Sequence, residues 1–143
     1  MANVSKSILV PYSSQQMFDL VDDVDSYKEF LPWCSKSEVL SIEGSEMVAR
    51  LSISKGRVKN SFTTSNRRVE SSCIEMNLVD GPFSHLHGAW RFERLDDFAC
   101  TVSLNLEYEY SNSIVKKVFG VVFGHIMNSI VNAFVKRAGE VYD

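Results

Sequence analysis

Two histidines, His85 and His87, stand two residues apart in a segment that reads as a strand. Side chains at positions i and i+2 of a strand point to the same face, so this pair has the spacing of two ligands to a zinc ion. A third ligand is not apparent, because nothing in the spacing of His125 connects it to the pair. We therefore interpret the histidines as ordinary polar residues of the surface or of turns and predict no metal site.

The cysteines Cys34, Cys73 and Cys100 are odd in number and have no CxxC spacing, so they predict neither a disulfide framework nor a thiolate zinc site. Cys34, in the segment FLPWCS, would need a neighbouring general base to act as a nucleophile, and the spacing supplies none. The sequence also lacks a G-x-S-x-G elbow, a Gly-rich phosphate loop and an HExxH motif. We predict a protein without catalytic residues that is not an enzyme.

Basic residues dominate one stretch of a chain that is slightly acidic overall. The formal net charge of -3 is too small to attract polyanions to the whole molecule, so nucleic acid would have to bind a local patch. Between Met47 and Val69 there is no acidic residue. The alternative is that these charges are only solvated surface. The basic side chains of this stretch include Lys55, Arg57, Lys59, Arg67 and Arg68.

Apolar and polar residues alternate along much of the chain, which predicts an antiparallel sheet with one buried face. The clearest alternation runs from Cys100 to Tyr110. Short helices are expected after an N-cap at Ser13 or Ser14 and at about residues 26–31, before Pro32. With the alternating segment, the predicted strands number about seven, and the others lie near residues 4–10, 36–43, 47–54, 57–69, 72–79 and 86–95.

From Ser113 to about Val141 the apolar period becomes helical. The charged and amide residues of this segment argue against a membrane-spanning helix. A sheet with one apolar face and a helix with a broad apolar side must cover each other, because neither can bury its face alone. The 143 residues, 45% of them hydrophobic and 23% charged, therefore predict one domain, 1–143, of the α+β class.

Ten aromatic residues could line a cavity between the sheet and this helix, or could equally form a solid core. The spacing alone leaves both alternatives open. The aromatic residues concerned are Tyr27, Phe30, Trp33, Phe62, Phe83, Trp90, Phe92, Tyr108, Phe119 and Phe123.

Several segments in fixed order resemble the START-like family that contains ribosome association toxins and coenzyme Q-binding proteins. They are VPYSSQQMFDLVDDVDSYKEFLPWC, NLVDGPFSHLHGAWRF, LNLEYEYSNS and FGVVFGHIMNSIVNAFVKRAGEVY, and the resemblance covers nearly the whole chain. It implies a helix-grip (Bet v 1-like) fold, in which a curved antiparallel sheet of about seven strands wraps a long C-terminal helix around an apolar cavity.

The resemblance also implies non-enzymatic binding of a hydrophobic ligand, and we expect ubiquinone or a related isoprenoid lipid, in support of respiration. No cofactor is required, although a bound quinone or lipid is expected. Residues 30–33 and 81–83 would close the pocket mouth. The residues expected at the mouth are Phe30, Leu31, Pro32, Trp33 and Phe83, and those expected to line the pocket are Phe62, Met76, Trp90, Tyr108, Phe119 and Val122.

The alternative implied by the same resemblance is a toxin that binds the large ribosomal subunit and blocks subunit joining, with the basic residues named above on rRNA phosphates. A third alternative, a polyketide cyclase-like enzyme, lacks a convincing acid and base pair. We expect a cytoplasmic monomer, since the N-terminus has neither a signal peptide nor an Arg-rich transit sequence, and peripheral contact with a membrane is compatible with either binding role.

Overall fold

A computed structural model describes residues 1–143, and its framework is one antiparallel sheet of seven strands in the order β1-β7-β6-β5-β4-β3-β2. Neighbouring strands are consecutive in the chain except for the first, which pairs with the last. The α+β helix-grip fold expected from the sequence is confirmed. The strands are β1 (Ala2–Val10), β2 (Cys34–Glu43), β3 (Glu46–Lys55), β4 (Val58–Val69), β5 (Cys73–Asp80), β6 (Phe83–Asp96) and β7 (Ala99–Tyr110).

The alternation in β7 places one row of side chains in the core and the other in or near solvent. Cys100, Val102 and Leu104 are buried, whereas Glu107 and Glu109 on the other row are exposed. Register shifts interrupt the pairing of β2 with β3, of β4 with β5 and of β6 with β7. Such irregularities bend a strand and increase its twist, which lets the sheet curve around a helix.

Two short helices follow β1 and close one end of the curved sheet. Helix α1 (Ser14–Asp22) begins after an N-cap at Ser13, whose hydroxyl accepts a hydrogen bond from the Gln16 amide at 3.1 Å. A 3-10 helix then covers Val24–Glu29, two residues earlier than the sequence suggested. It is fastened to β2, because the Asp25 carboxylate accepts a hydrogen bond from the Val39 amide at 3.0 Å.

The C-terminal helix α2 (Ser113–Tyr142) lies across the concave face of the sheet. Asn112 caps it by accepting a hydrogen bond from the Val115 amide at 2.9 Å. By length and apolar composition alone α2 could cross a membrane; eight of its side chains are buried within the protein, whereas Ile114, Val118 and Val121 are exposed. Sheet and helices share one hydrophobic cluster of 32 buried residues.

Candidate functional site

A small apolar cavity lies between the sheet and α2, at the place where the sequence left a pocket or a solid core as alternatives. Its volume is about 70 Å³. The strands supply most of the wall, and the 3-10 helix and α2 close it. The lining residues are Val24, Tyr27, Ala49, Leu51, Phe62, Thr64, Asn66, Met76, Leu86, Trp90, Leu104, Leu106, Phe123, Met127 and Ile130.

Two polar side chains of β4, Thr64 and Asn66, face this apolar cavity. Both are buried, and the Thr64 hydroxyl donates a hydrogen bond to the Asn66 amide oxygen at 2.7 Å. The Asn66 amide nitrogen has no partner in the protein, yet it is not completely enclosed, so it faces the open space of the cavity. The sequence signal for this pair is weak: Thr64 and Asn66 share the β4 face of the apolar Phe62, and neither residue was predicted at the pocket.

The residues expected to line the pocket divide into two groups. Phe62, Met76 and Trp90 are in the cavity wall. Tyr108 and Phe119 instead pack in an aromatic cluster beside the cavity, and Val122 is half-buried on α2. Phe83, expected at the mouth, is buried at the centre of that cluster. The aromatic cluster consists of Phe62, Phe83, Tyr108, Tyr110, Phe119 and Phe123.

Three of the residues expected to form the mouth, Leu31, Pro32 and Trp33, border a different space. Phe30 packs edge-on against Phe134, and Leu31 is buried, whereas Pro32 is exposed and Trp33 half-buried. Together with α2 this segment borders a second concavity of about 450 Å³ on the outside of the molecule. We call it the outer groove, and its lining residues are Leu31, Pro32, Trp33, Ser54, Lys55, His125, Ser129, Asn132, Ala133 and Lys136.

The size of the inner cavity limits what it can hold. Pockets for drug-sized ligands have volumes of about 300–1,000 Å³. At about 70 Å³ the cavity has room for a few water molecules, or for one small apolar group. A quinone ring with an isoprenoid tail would enter only if α2 moved away from the sheet.

The cavity wall contains no side chain of Asp, Glu, His, Lys, Arg or Cys. Its one titratable residue, Tyr27, donates its hydroxyl to the Val21 carbonyl, and burial raises the pKa of the phenol. Burial also raises the pKa of the Cys34 thiol, and it raises the pKa of Cys100 to about 11. These thiols are therefore poor nucleophiles at neutral pH.

The histidine pair lies on the outer face of the sheet, away from the cavity. His85 Nε2 is 3.1 Å from a carboxylate oxygen of Glu107, and His87 Nδ1 is 2.8 Å from the Asn77 amide oxygen. No group of three or more His, Cys, Asp or Glu side chains in residues 1–143 could hold a metal ion. Both imidazoles thus have neighbouring polar side chains as partners.

The five basic residues assigned to a candidate rRNA contact do not form one patch. Lys55 ends β3, Arg57 is in the turn that follows, and Lys59 is the second residue of β4, whereas Arg67 and Arg68 lie near the end of β4. Arg67 is eight positions after Lys59 along the strand, which corresponds to about 26 Å. The structure therefore divides them into a cluster of three at the β3–β4 turn and a pair at the opposite end of the sheet.

Arg68 has a structural role at that opposite end. Its guanidinium donates to the Asp22 carboxylate at 3.1 Å and to the Gly44 carbonyl at 3.1 Å, and only 18% of its side chain is exposed. Partial burial raises the pKa of Asp22, and the Arg68 charge opposes that shift. Arg67 lies 3.5 Å from Glu75. With acidic partners this close, the pair is a poor phosphate contact.

Comparison with known proteins gives two kinds of relative. Residues 10–135 match the family described as polyketide cyclase / dehydrase and lipid transport. The chain is 47% identical over 142 residues to the ribosome association toxin RatA of Vibrio cholerae, and the alignment covers 99% of both chains. It is 31% identical over 144 residues to the mitochondrial coenzyme Q-binding protein COQ10 homolog B of Xenopus laevis, where 96% of this chain aligns with 58% of that one.

Among solved structures, the Zhui aromatase/cyclase of Streptomyces sp. R1128 superposes with a TM-score of 0.84 at 18% identity. The superposition covers 96% of this chain and 93% of that one. At this level of identity the similarity establishes a shared fold, and it carries no information about a shared reaction.

Proposed function

This chain belongs to the polyketide cyclase, dehydrase and lipid transport family, and we propose that it acts there as a ribosome association factor. It binds the large ribosomal subunit without catalysing a reaction and keeps the small subunit from joining. The similarity to proteins named for ribosome association extends over almost the full length of both chains. This function replaces quinone binding, our first expectation, as the best supported one.

The structural observation that carries this proposal is the basic β3–β4 turn. Gly56, with φ of 60°, and Arg57 form a two-residue connection that projects Lys55, Arg57 and Lys59 from the end of the sheet. None of these three side chains has a carboxylate within 4.0 Å, in contrast to Arg67 and Arg68. Unpaired cations on a projecting turn are available to rRNA phosphates.

Helix α2 adds to the positive surface beside this turn. It contains no acidic residue before Glu140, and Lys136 borders the same groove as Lys55. Although the net charge of the chain is -3, cations without neutralising carboxylates come together at the β3–β4 turn and the neighbouring part of α2. Local potential of this kind steers a polyanion to one orientation of the protein.

Replacing Lys55, Arg57 and Lys59 together by alanine should weaken binding to purified large ribosomal subunits on the order of 100-fold near 0.1 M salt. Each lost phosphate contact removes the release of about one counterion, so the slope of log K against log salt should also become shallower by about two to three. Co-sedimentation with large subunits across a series of KCl concentrations measures both quantities.

The matched control is alanine at Lys6, Arg91 and Arg94, which removes the same formal charge from exposed positions on β1 and β6. We expect it to bind within about threefold of the unmodified protein, since distant exposed charges are screened. Equal losses for both triple variants would show that only net charge matters and would remove the turn from the proposal.

A second candidate function is capture of a quinone or a similar apolar molecule, and two observations favour it. One is the similarity to a coenzyme Q-binding protein. The other is the cavity itself, in which the Asn66 amide nitrogen is an unpartnered hydrogen-bond donor in a largely apolar wall. A carbonyl group on an apolar ligand would satisfy that donor.

Filling the cavity separates the two candidates. Ala49 lies in the cavity wall and is 4% exposed, so Ala49→Leu adds three carbons to the space. If the cavity serves quinone capture, solvent extracts of protein purified from its host should contain stoichiometric quinone, and the variant should lose it at least about tenfold. Ribosome binding should remain within about twofold. A variant that keeps both properties would exclude this cavity as the quinone site.

A further inference from the structure

We propose that the outer groove binds an unpaired RNA nucleotide, with its base stacked on Trp33 and its phosphates beside Lys55 and Lys136. The inference rests on the ribosome binding proposed above and names the part of rRNA that this surface recognises. Trp33 is thereby assigned to an outer surface of the molecule, whereas the sequence resemblance implied a position at the mouth of the inner pocket.

One wall of the groove carries the aromatic side chain of Trp33 on a backbone held by hydrogen bonds. The Trp33 carbonyl accepts a hydrogen bond from the Ser54 amide at 2.9 Å, and the Leu31 carbonyl accepts one from the Cys34 amide at 2.9 Å. Leu31 is buried and anchors the segment, whereas Trp33 keeps part of its surface open to the groove. The Trp33 side chain is partly buried against the core, so it loses less freedom than a fully exposed ring when a base stacks on it.

The opposite wall is polar and comes from successive turns of α2. His125, Ser129, Asn132 and Lys136 recur at intervals of three or four residues, so they share one face of the helix. The Asn132 side chain is exposed and makes no hydrogen bond within the protein, so its side-chain amide is free to pair with the edge of a base. Single-stranded RNA is read in this manner, by stacking together with hydrogen bonds to base edges.

The charges of the groove select an anionic ligand. Its ten lining residues include Lys55, Lys136 and His125 and no carboxylate. Neither lysine has an acidic side chain within 4.0 Å. Arg137, the next residue of α2, stacks on Phe30 and lies 3.5 Å from the Glu140 carboxylate, so the free cations of the groove are the two lysines.

The shape of the groove favours a nucleotide over a lipid surface. Its volume of about 450 Å³ is within the range of pockets for compact ligands. A membrane-binding surface presents apolar side chains outward on a protruding face, whereas this groove is concave and its Leu31 side chain is buried. We therefore infer that the ligand of the outer groove is RNA.

The test uses a six-residue single-stranded oligoadenylate and the intact protein. The chain has two tryptophans, and because Trp90 is buried, changes in emission on binding report chiefly Trp33. We expect saturable quenching, with affinity measured in parallel by the anisotropy of labelled oligonucleotide. Trp33→Phe should remove the quenching and keep affinity within about threefold, whereas Trp33→Ala should weaken binding about tenfold or more, because stacking contributes strongly for each base.

A second pair of variants keeps the test decisive if Trp33→Ala does not fold. Lys136→Ala changes an exposed helix residue in the groove, and Lys117→Ala changes an exposed residue of the same helix outside it. We expect a loss of about fivefold or more for the first and less than twofold for the second. Equal effects of the two variants, or no quenching by the oligonucleotide, would overturn the proposal.

Vesicles of phosphatidylglycerol mixed with phosphatidylcholine test the competing occupant. A Trp33 response to these vesicles without a response to RNA would also overturn the assignment. The proposed ribosome function and the proposed RNA site in the groove can be rejected independently of each other. Oligonucleotide binding without subunit binding would retain the groove and reject the ribosome function, and subunit binding unaffected by Trp33→Ala and Lys136→Ala would do the reverse.

Discussion

Gly88→Ala should lower the free energy of unfolding by at least about 3 kcal/mol, although it adds a single carbon. Gly88 lies in the middle of β6, opposite Leu106 of β7 and Met76 of β5. A β-carbon at this position would come 2.1 Å from the Asn105 carbonyl oxygen and 2.6 Å from the Leu106 α-carbon. Both are backbone atoms of the adjacent strand, so no side-chain rotation can relieve the overlap.

Because the neighbouring backbone has to move, the pairing of β6 with β7 must change. This pairing extends almost the whole length of both strands, and Leu106 of β7 lines the cavity. The loss is a large fraction of the roughly 5–15 kcal/mol that stabilises a typical protein. Urea unfolding followed by tryptophan fluorescence measures the change, and amide hydrogen exchange in β6 and β7 shows whether it is local.

Gly124→Ala is the matched control for this substitution. A β-carbon added at Gly124 meets no atom within 4 Å, and the residue is inside α2. Alanine is preferred to glycine in a helix interior, so this variant should gain about 0.5–1 kcal/mol. A Gly88→Ala protein within about 1 kcal/mol of the unmodified protein would contradict the close approach of β6 and β7.

The second large effect is expected for Phe123→Ala, which should cost about 3–5 kcal/mol and lower Tm by roughly 10–15 °C. Phe123 has 0% exposure and connects α2 to the sheet through the aromatic cluster. Its ring centroid is 4.9 Å from that of Phe83, 5.0 Å from that of Tyr108 and 5.8 Å from that of Phe62. Truncation removes these contacts and leaves a void that joins the inner cavity.

Calorimetry with urea titration measures this loss, and Val121→Ala on the same helix provides the comparison. Val121 is 74% exposed, so its truncation should change stability by less than about 0.5 kcal/mol. The enlarged cavity gives Phe123→Ala a second readout, because an apolar void of this kind binds small aromatic molecules such as benzene. Stabilisation by benzene is expected for Phe123→Ala and not for Val121→Ala. If Phe123→Ala lowered the free energy of unfolding by less than about 1 kcal/mol, the aromatic cluster would not connect helix and sheet as described.

Local sequence patterns determined the elements of this protein and most of their boundaries. The alternation from Cys100 to Tyr110 predicted β7 because a strand repeats every two residues, and the apolar pattern after Ser113 predicted α2 because a helix repeats every 3.6. The 3-10 helix differed from its expected position. The hydrogen bond that the Val39 amide donates to the Asp25 carboxylate joins residues of different elements, which periodicity does not report.

Which side chains meet was decided by the tertiary structure. Lys59 and Arg67 look like members of one basic stretch in the sequence, but the extended strand β4 places them toward opposite ends of the sheet, and Arg68 at Arg67's end pairs with Asp22. Trp33 and Lys136 are 103 residues apart and border one groove. The sequence by itself determined a sheet, a helix and an apolar interface between them, because those depend on neighbours along the chain. Only the tertiary structure decided the small cavity volume and the outer groove, because packing depends on how distant segments approach one another.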